Sequence, residues 1–154
     1  MFKTQYVDNL AEFYAENKEH ILKHYQDFAD TCGDTRELSV NVPLFQHMID
    51  LGHINIFTIW EDSDFLGYVF VTISPSLLFK GTVDAVIDHF YLTEVSRGKG
   101  YAKLVLHEIE EQLISDGVTH LALGLPYREA YDKFADKLGF TKQSCVYIKD
   151  LGEN

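Results

Sequence analysis

Leu10, Phe13, Tyr14, Ile21, Tyr25 and Phe28 fall at helical spacing through a stretch otherwise full of charge, so the chain opens with an amphipathic helix. Turn residues and scattered acids fill 32–41. Pro43 then starts a second short helix, which carries Leu44, Met48 and Leu51 and stops at Gly52. Beyond it the period changes. Residues 54–60 alternate as a strand, Asp62-Ser63-Asp64 makes a turn, and residues 66–73 return, which predicts a hairpin. Ser74-Pro75-Ser76 ends the returning strand, and residues 77–81 form a connection whose apolar side chains either pack over a sheet edge or line a site. Residues 82–93 supply the next strand. In the following helix, over 102–114, Val105, Leu106, Ile109, Leu113 and Ile114 repeat at near-helical intervals, and Gly117 closes it. A strand at 118–125, a helix at 127–138 and a last strand at 144–149 complete an α+β pattern.

Between the strand at 82–93 and the helix at 102–114 lies Arg97-Gly98-Lys99-Gly100-Tyr101-Ala102. A helix that begins in a glycine-containing loop leaves backbone N–H groups unpaired at its positive end, a natural seat for an anion. Gly98 and Gly100 let the backbone come close, and Arg97 adds charge. A P-loop would need lysine followed by Ser or Thr after its last glycine, and Gly100-Tyr101 offers neither. A Rossmann fingerprint would need a third glycine early in its domain, where Lys103 stands instead and most of the chain has already passed.

The segment resembles the pyrophosphate loop of the GCN5-related N-acetyltransferase (GNAT) superfamily, Arg/Gln-x-x-Gly-x-Gly/Ala at the end of the fourth strand, with Arg97, Gly100 and Ala102 in its three places. A meander before the loop and Leu138-Gly139-Phe140 after the second helix extend the likeness, which is clearest over 54–149. A looser likeness reaches small acetyltransferase-like proteins encoded by bacteriophages. The resemblance implies one domain over 1–154 with an α+β (mixed α/β) GNAT fold. Its central, mostly antiparallel mixed sheet would splay between the fourth and fifth strands, flanked by about four helices.

Acetyl-CoA is the implied co-substrate, its pantetheine arm lying in the splay and its diphosphate on Arg97, Gly98, Lys99, Gly100, Tyr101, Ala102 and Lys103. By the same analogy the Phe90 N–H polarises the acetyl carbonyl and Leu92 bonds the pantetheine. Asp88, nine residues before the loop arginine, faces the acceptor as base or as a group that orients an ammonium. Strand parity puts Asp88, Phe90 and Leu92 on one face and His89 and Tyr91 on the other, which ranks His89 second as a base despite its suitable imidazole. The acceptor would enter beside 30–41 and 74–84, where Asp34, Glu37 and Asp84 meet a cation. One departure stands out: the tyrosine that protonates the leaving thiolate in many members is Ala135 here, and an asparagine near the start of that helix is Arg128. Tyr131, one turn earlier, and Tyr127 are the substitutes.

Charge narrows the partners. With 24 acidic against 13 basic side chains the net charge is −11, which opposes a phosphate backbone, so no nucleic-acid partner is expected; the acidity serves solubility first, and attraction of a cationic amine is the functional alternative. The resemblance implies an acceptor that is an amine-bearing small molecule or a protein lysine or N-terminus. No apolar run approaches the roughly 20 residues of a membrane span, and Met1-Phe2-Lys3-Thr4 leads into acidic sequence, so a soluble cytoplasmic protein without membrane contact is expected. Cys32 and Cys145 make no disulfide framework and no ligand spacing. His20 and His24, with Glu16 a turn earlier, have a conceivable zinc spacing but no third His or Cys at a telling distance, and no metal is expected. No Gly-x-Ser-x-Gly elbow supports a hydrolase. The competing reading is a degenerate GNAT-fold protein that presents carboxylates to a basic surface as a binding or inhibitory module. Homodimerisation through 144–149 stays open.

Overall fold

The structure, a computed structural model, describes residues 1–126 and 128–152. The element order is β1 (Phe2–Tyr6), α1 (Leu10–Glu16), α2 (Lys18–Cys32), α3 (Val42–Asp50), β2 (Ile54–Glu61), β3 (Asp64–Pro75), β4 (Val83–Leu92), a 3₁₀ turn (Glu94–Ser96), α4 (Tyr101–Ser115), β5 (His120–Leu123) and α5 (Glu129–Lys137). The strands form one sheet in the order β1-β2-β3-β4-β5. Successive pairs are antiparallel through β4, and β5 joins β4 in parallel after the α4 crossover.

Two hydrophobic layers hold this sheet. On one face the stripe Val105, Leu106, Ile109 and Leu113 of α4 packs on Ile59, Val69, Val71 and Ile87, all essentially removed from water. Each such side chain contributes about 1.5–3 kcal/mol. On the other face Leu10 and Phe13 of α1 meet Ile56, Tyr68 and Tyr91, with Phe45 and Ile49 of α3 beside them.

Several expectations need correction. The N-terminal residues form β1, bonded to β2 with Phe2 opposite Glu61 and Tyr6 opposite Phe57. Five residues without a flanking turn signal carry too little periodicity to announce a strand, and the partner that completes it lies some fifty residues on. The first amphipathic segment is two helices, not one. Asn17, buried, adopts φ −116° and ψ 18°, and its Nδ2 donates to the Phe13 carbonyl at 3.0 Å, capping α1 at the point where α2 begins. The break lets α1 bury Leu10 and Phe13 while α2 buries Ala29. Five α-helices rather than about four result among the described residues.

The last strand expected at 144–149 is absent among the described residues, and Val146, Tyr147 and Ile148 are 86%, 92% and 87% exposed. An alternating apolar run becomes a strand only against a paired edge, and this one has none here. The helix expected from 127 begins at Glu129; Tyr127 lies outside the described residues. Among the described residues no helix is long and apolar enough to cross a membrane.

Gly67 fixes how closely β3 and β4 approach at the end that matters below. A Cβ there would collide with the Tyr91 carbonyl oxygen and come within 3.1 Å of Leu92 Cα. Both obstacles are backbone, so neither can rotate away. Gly67→Ala is expected to destabilise by about 1–3 kcal/mol, the usual range for overpacking, and a thermal melt with Tm lowered by several degrees is the check; an unchanged Tm would contradict this packing.

Candidate functional site

β4 is paired to β5 over only four residues, Asp84 with His120 through Ile87 with Leu123, and the last rung is the Gly124 N–H donating to the Ile87 carbonyl at 3.0 Å. From Asp88 to Leu92 the strand keeps β3 on one side and has no strand on the other. The sheet is therefore splayed between its fourth and fifth strands.

A β-bulge sets what faces that gap. Phe70 opposes His89 and Val71 opposes Ile87, so Asp88 is an extra residue without a partner on β3. Backbone polar groups alternate along a strand, and past the bulge their sense is reversed. The Ile87 carbonyl points to β5, whereas the Thr93 N–H crosses to the Leu66 carbonyl of β3 at 2.8 Å. Stepping back by twos from Thr93 turns Tyr91 toward β3 and leaves the amides of Phe90 and Leu92 directed into the gap. Without the surplus residue they would point at β3.

Past the strand, the Thr93 and Ser96 hydroxyls bond each other at 2.6 Å in the interior and pin the 3₁₀ turn. Gly98 and Gly100 then take φ +73° and +84°, a region open to glycine, and space is empty where either would carry a Cβ. Gly100 is the N-cap of α4; no side chain caps that end, and its first turn holds no acid. The amides of Tyr101, Ala102 and Lys103 therefore lack intrahelical partners at the positive end of a 15-residue helix, with the exposed Lys99 and Lys103 beside them. Unpaired amides and positive charge at such an end suit an anion. Tyr101 contributes its main chain only, because its hydroxyl bonds Glu61 and its ring stacks near Phe2. Arg97 lies back along the strand: Nε donates to the Leu92 carbonyl at 2.9 Å and the guanidinium sits 5.8 Å from the centre of the Tyr91 ring.

A separate cavity of about 370 Å³ opens between β1, β2 and α4, walled by Thr4, Tyr6, Glu108 and Glu111. Its carboxylates repel a diphosphate, so room alone does not mark the site.

The bulge also overturns the simple parity expected for β4. Asp88 and His89 both face α1 to α3: Asp88 accepts from Thr72 Oγ1, while the His89 ring packs 5.2 Å from Phe70 and 5.8 Å from His24 of α2. Phe90 and Leu92 pack on the α4 face. His24 in turn lies 2.7 Å from the Tyr68 hydroxyl through Nδ1, and His20 Nδ1 lies 3.1 Å from the Tyr91 hydroxyl. Burial first, then the charges of His89 and Arg97, push the His24 pKa down from 6.5 to about 4. Burial also lowers that of His89, against the opposing pull of Asp88. Both rings are thus neutral near pH 7, and the His24 Nδ1 and the Tyr68 hydroxyl share one hydrogen bond. This imidazole–phenol cluster was missed in the sequence. The one signal for it was His20 and His24 four apart on the inward helix face, a pair that serves tyrosines here. Among the described residues no three His, Cys, Asp or Glu groups are placed to hold a metal.

The other expected residues are dispersed. Asp34 is held by Arg36 through two side-chain contacts of 3.0 and 2.6 Å, which lowers its pKa to about 2 and satisfies its charge locally. Asp84 faces His120 at 3.7 Å in the zipped part of β4, roughly 13 Å along the strand from Asp88 at about 3.3 Å per residue. Glu37 is exposed. Tyr131 lies under the Arg128 guanidinium, 5.9 Å from it, one turn before Phe134, whose ring meets Phe90 edge-on at 6.2 Å. Helix α5 therefore reaches the gap through Phe134.

The sequence profile of the acetyltransferase (GNAT) family matches residues 12–140. Among solved structures, an aminoglycoside acetyltransferase from an uncultured soil metagenomic sample, crystallised with sisomicin, superposes with a TM-score of 0.76 at 10% identity over 98% of this chain and 97% of that one. Glucosamine-6-phosphate N-acetyltransferase from Arabidopsis thaliana gives 0.70 at 17% over 99% of each. A candidate acetyltransferase, YycN, from Bacillus subtilis gives 0.67 at 23% over 98% and 100%. At these identities the likeness is one of fold: a mixed five-stranded α+β sheet of the GNAT type. No curated protein matches the chain.

Below about pH 6.5 the unfolded His24 takes up a proton that the folded ring refuses until about pH 4, so stability falls as pH drops through that window. Allowing for partial solvent contact, the loss is on the order of 2 kcal/mol. Melts of the wild type and His24→Gln between pH 7 and 4 should show a shallower decline in the variant; parallel curves would refute the buried neutral ring.

Proposed function

We propose, from the premise that this chain belongs to the acetyltransferase (GNAT) family, that it moves an acetyl group from acetyl-CoA to a primary amine by direct attack in a ternary complex. One observation carries the reading: the uncapped start of α4, opened by Gly98 and Gly100, adjoins the strand segment whose Phe90 and Leu92 amides turn into an unpaired gap. The residues fit the co-substrate. Two absent Cβ atoms leave room for a diphosphate against the helix start, and Lys99 and Lys103 add charge in a protein otherwise strongly acidic.

Acetyl-CoA supplies an activated thioester. The amides of 98–103 with Arg97 bind its diphosphate, and the open edge of β4 receives the extended arm as a further strand would be received, through Leu92. The Phe90 N–H donates to the acetyl oxygen, stabilising charge that develops there. Asp88 draws and orients the ammonium of the acceptor and assists its deprotonation, and Tyr131 returns a proton to the leaving sulfur. The acceptor is a small amine or a protein lysine or N-terminus; aminoglycoside and amino-sugar acetyltransferases share the fold. Glu37 stands free to guide a cation inward, whereas Asp34 and Asp84 are engaged by Arg36 and His120 and act as general acidic surroundings.

Acetyl-CoA at a hundred times its Kd should stabilise the protein by about 2.7 kcal/mol. Lys103→Glu separates this seat from helix stability. A carboxylate in the first turn favours the helix by about 0.3–1 kcal/mol yet repels a diphosphate, so the apo Tm should hold or rise while the acetyl-CoA shift shrinks. An acetyl-CoA shift that survives the change would place the diphosphate elsewhere. Asp88→Asn should lower kcat about 10²–10⁴-fold against a responsive amine, read by thiol release, with the acetyl-CoA shift retained.

A further inference from the structure

Two imidazoles and two phenols lie between the acceptor side of β4 and the loop that follows it, and the reading above leaves them without a task. His89 stands next to Asp88 on the bulge, open to solvent at one edge, with its ring against Phe70 and His24. His24 spans inward from α2 to the Tyr68 hydroxyl, and its ring lies 5.1 Å from that of Tyr91. Tyr68 and Tyr91 stack at 5.2 Å, and Arg97 covers Tyr91. Packing side chains for this layer need no nitrogen. A helix whose inward positions are histidines rather than leucines, each matched to a phenol, has polar groups that desolvation would penalise unless they bond.

We propose that His89 accepts the proton released by the acceptor amine that Asp88 holds, and that His24, fixed by Tyr68, is the positioning residue that orients the His89 ring. The inference rests on the acetyltransferase reading and adds to it the destination of the proton. An ammonium must lose two protons to become an amide. One passes to His89 as the free amine forms. The amine nitrogen then bonds to the acetyl carbon, the carbon–sulfur bond breaks, and the second proton ends on the sulfur, while His89 releases the first to water through its exposed edge. Asp88 alone is poorly suited to the first step, because its carboxylate already accepts from Thr72 Oγ1 and is committed to holding the ammonium. A neutral imidazole is better matched.

The charged and titratable groups around the pair are His20, Lys23 and Asp27 on α2, Tyr68 on β3, Asp88 and Tyr91 on β4, and Glu94 and Arg97 beyond it. Lys23 and Glu94 pair with each other. Helices α1 and α3 present Phe13 and Phe45 to this layer. Asp88 raises the pKa of His89 and burial lowers it. Asp88→Asn should therefore move the His89 titration to lower pH, and His24→Ala, which opens the packing, should move it to higher pH.

Imidazole NMR titrations of the ligand-free protein and of these two variants read those shifts without turnover. Thiol release with acetyl-CoA and a panel of spermidine, kanamycin and a lysine peptide reads the chemistry. In the wild type, kcat/KM should fall on the acid side at the His89 pKa; His89→Gln should lower kcat about 10²–10³-fold with the acetyl-CoA melting shift intact. In His24→Ala the acid limb should move up in pH together with the NMR titration, a coupling that a merely structural role would not produce. An acid limb that survives in His89→Gln at full rate, or a His89 titration indifferent to both variants, would overturn the proton assignment alone. Absence of both an acetyl-CoA melting shift and turnover in the wild type would overturn the acetyltransferase reading with it.

Discussion

Asp88 has no partner on β3, because Phe70 opposes His89 and Val71 opposes Ile87, and this surplus residue changes the direction of every main-chain group after it. Before the bulge the odd-numbered residues of β4 bond to β5; after it they bond to β3. The amides of Phe90 and Leu92 are consequently aimed at the open side, where β5 has already parted from the sheet. A strand edge with unmet donors is ordinarily an aggregation hazard. Here it is short, flanked by α5 through Phe134 and ended by the glycine loop, which suits it to an extended ligand rather than to another chain.

The same bulge gathers side chains that regular alternation would separate. Asp88 and His89 share the face toward α1 to α3, so a carboxylate and an imidazole stand together where the acceptor is proposed to arrive. Behind them the Asn17 break tilts α2 so that His20 and His24 meet Tyr91 and Tyr68. A straight helix through Asn17 would continue the path of α1, whose Leu10 and Phe13 are already committed to the core. Burial of these rings is tolerable because the Nδ1 of each has a hydroxyl partner, and no buried side-chain polar atom among the described residues lacks a hydrogen-bond partner.

Electrostatics divides the molecule along β4. The whole chain carries −11, yet Lys99 and Lys103 flank the positive end of α4 at the loop, with Arg97 laid back over Tyr91. An acidic protein repels free polyanions at long range, and screening confines that repulsion to about 8–10 Å in physiological salt. Within that distance the local cations and the uncapped amides govern. On the face of β4 where the acceptor is proposed to arrive Asp88 is exposed, as is Glu37, while Asp34 is neutralised by Arg36.

Local pattern was enough for the meander, the helix after the loop and the position of the glycine turn, because those features are written in near neighbours: β-branched runs, an apolar stripe at 105, 106, 109 and 113, and glycines where φ is positive. The family resemblance added the splay, which no local pattern encodes. Strand β1 and the failure of 144–149 to form a strand depend on whether an edge is available, a fact about distant parts of the chain. The facing of Asp88 and His89 depends on a single unmatched residue in register with β3, and alternation counted along β4 alone gave the opposite answer. The sequence by itself thus determined the meander, the helix after the loop and the glycine turn at its start, since these follow from local backbone preference and amphipathic spacing. Only the tertiary structure decided which groups look into the site, because cross-strand register, and not order along the chain, orients them.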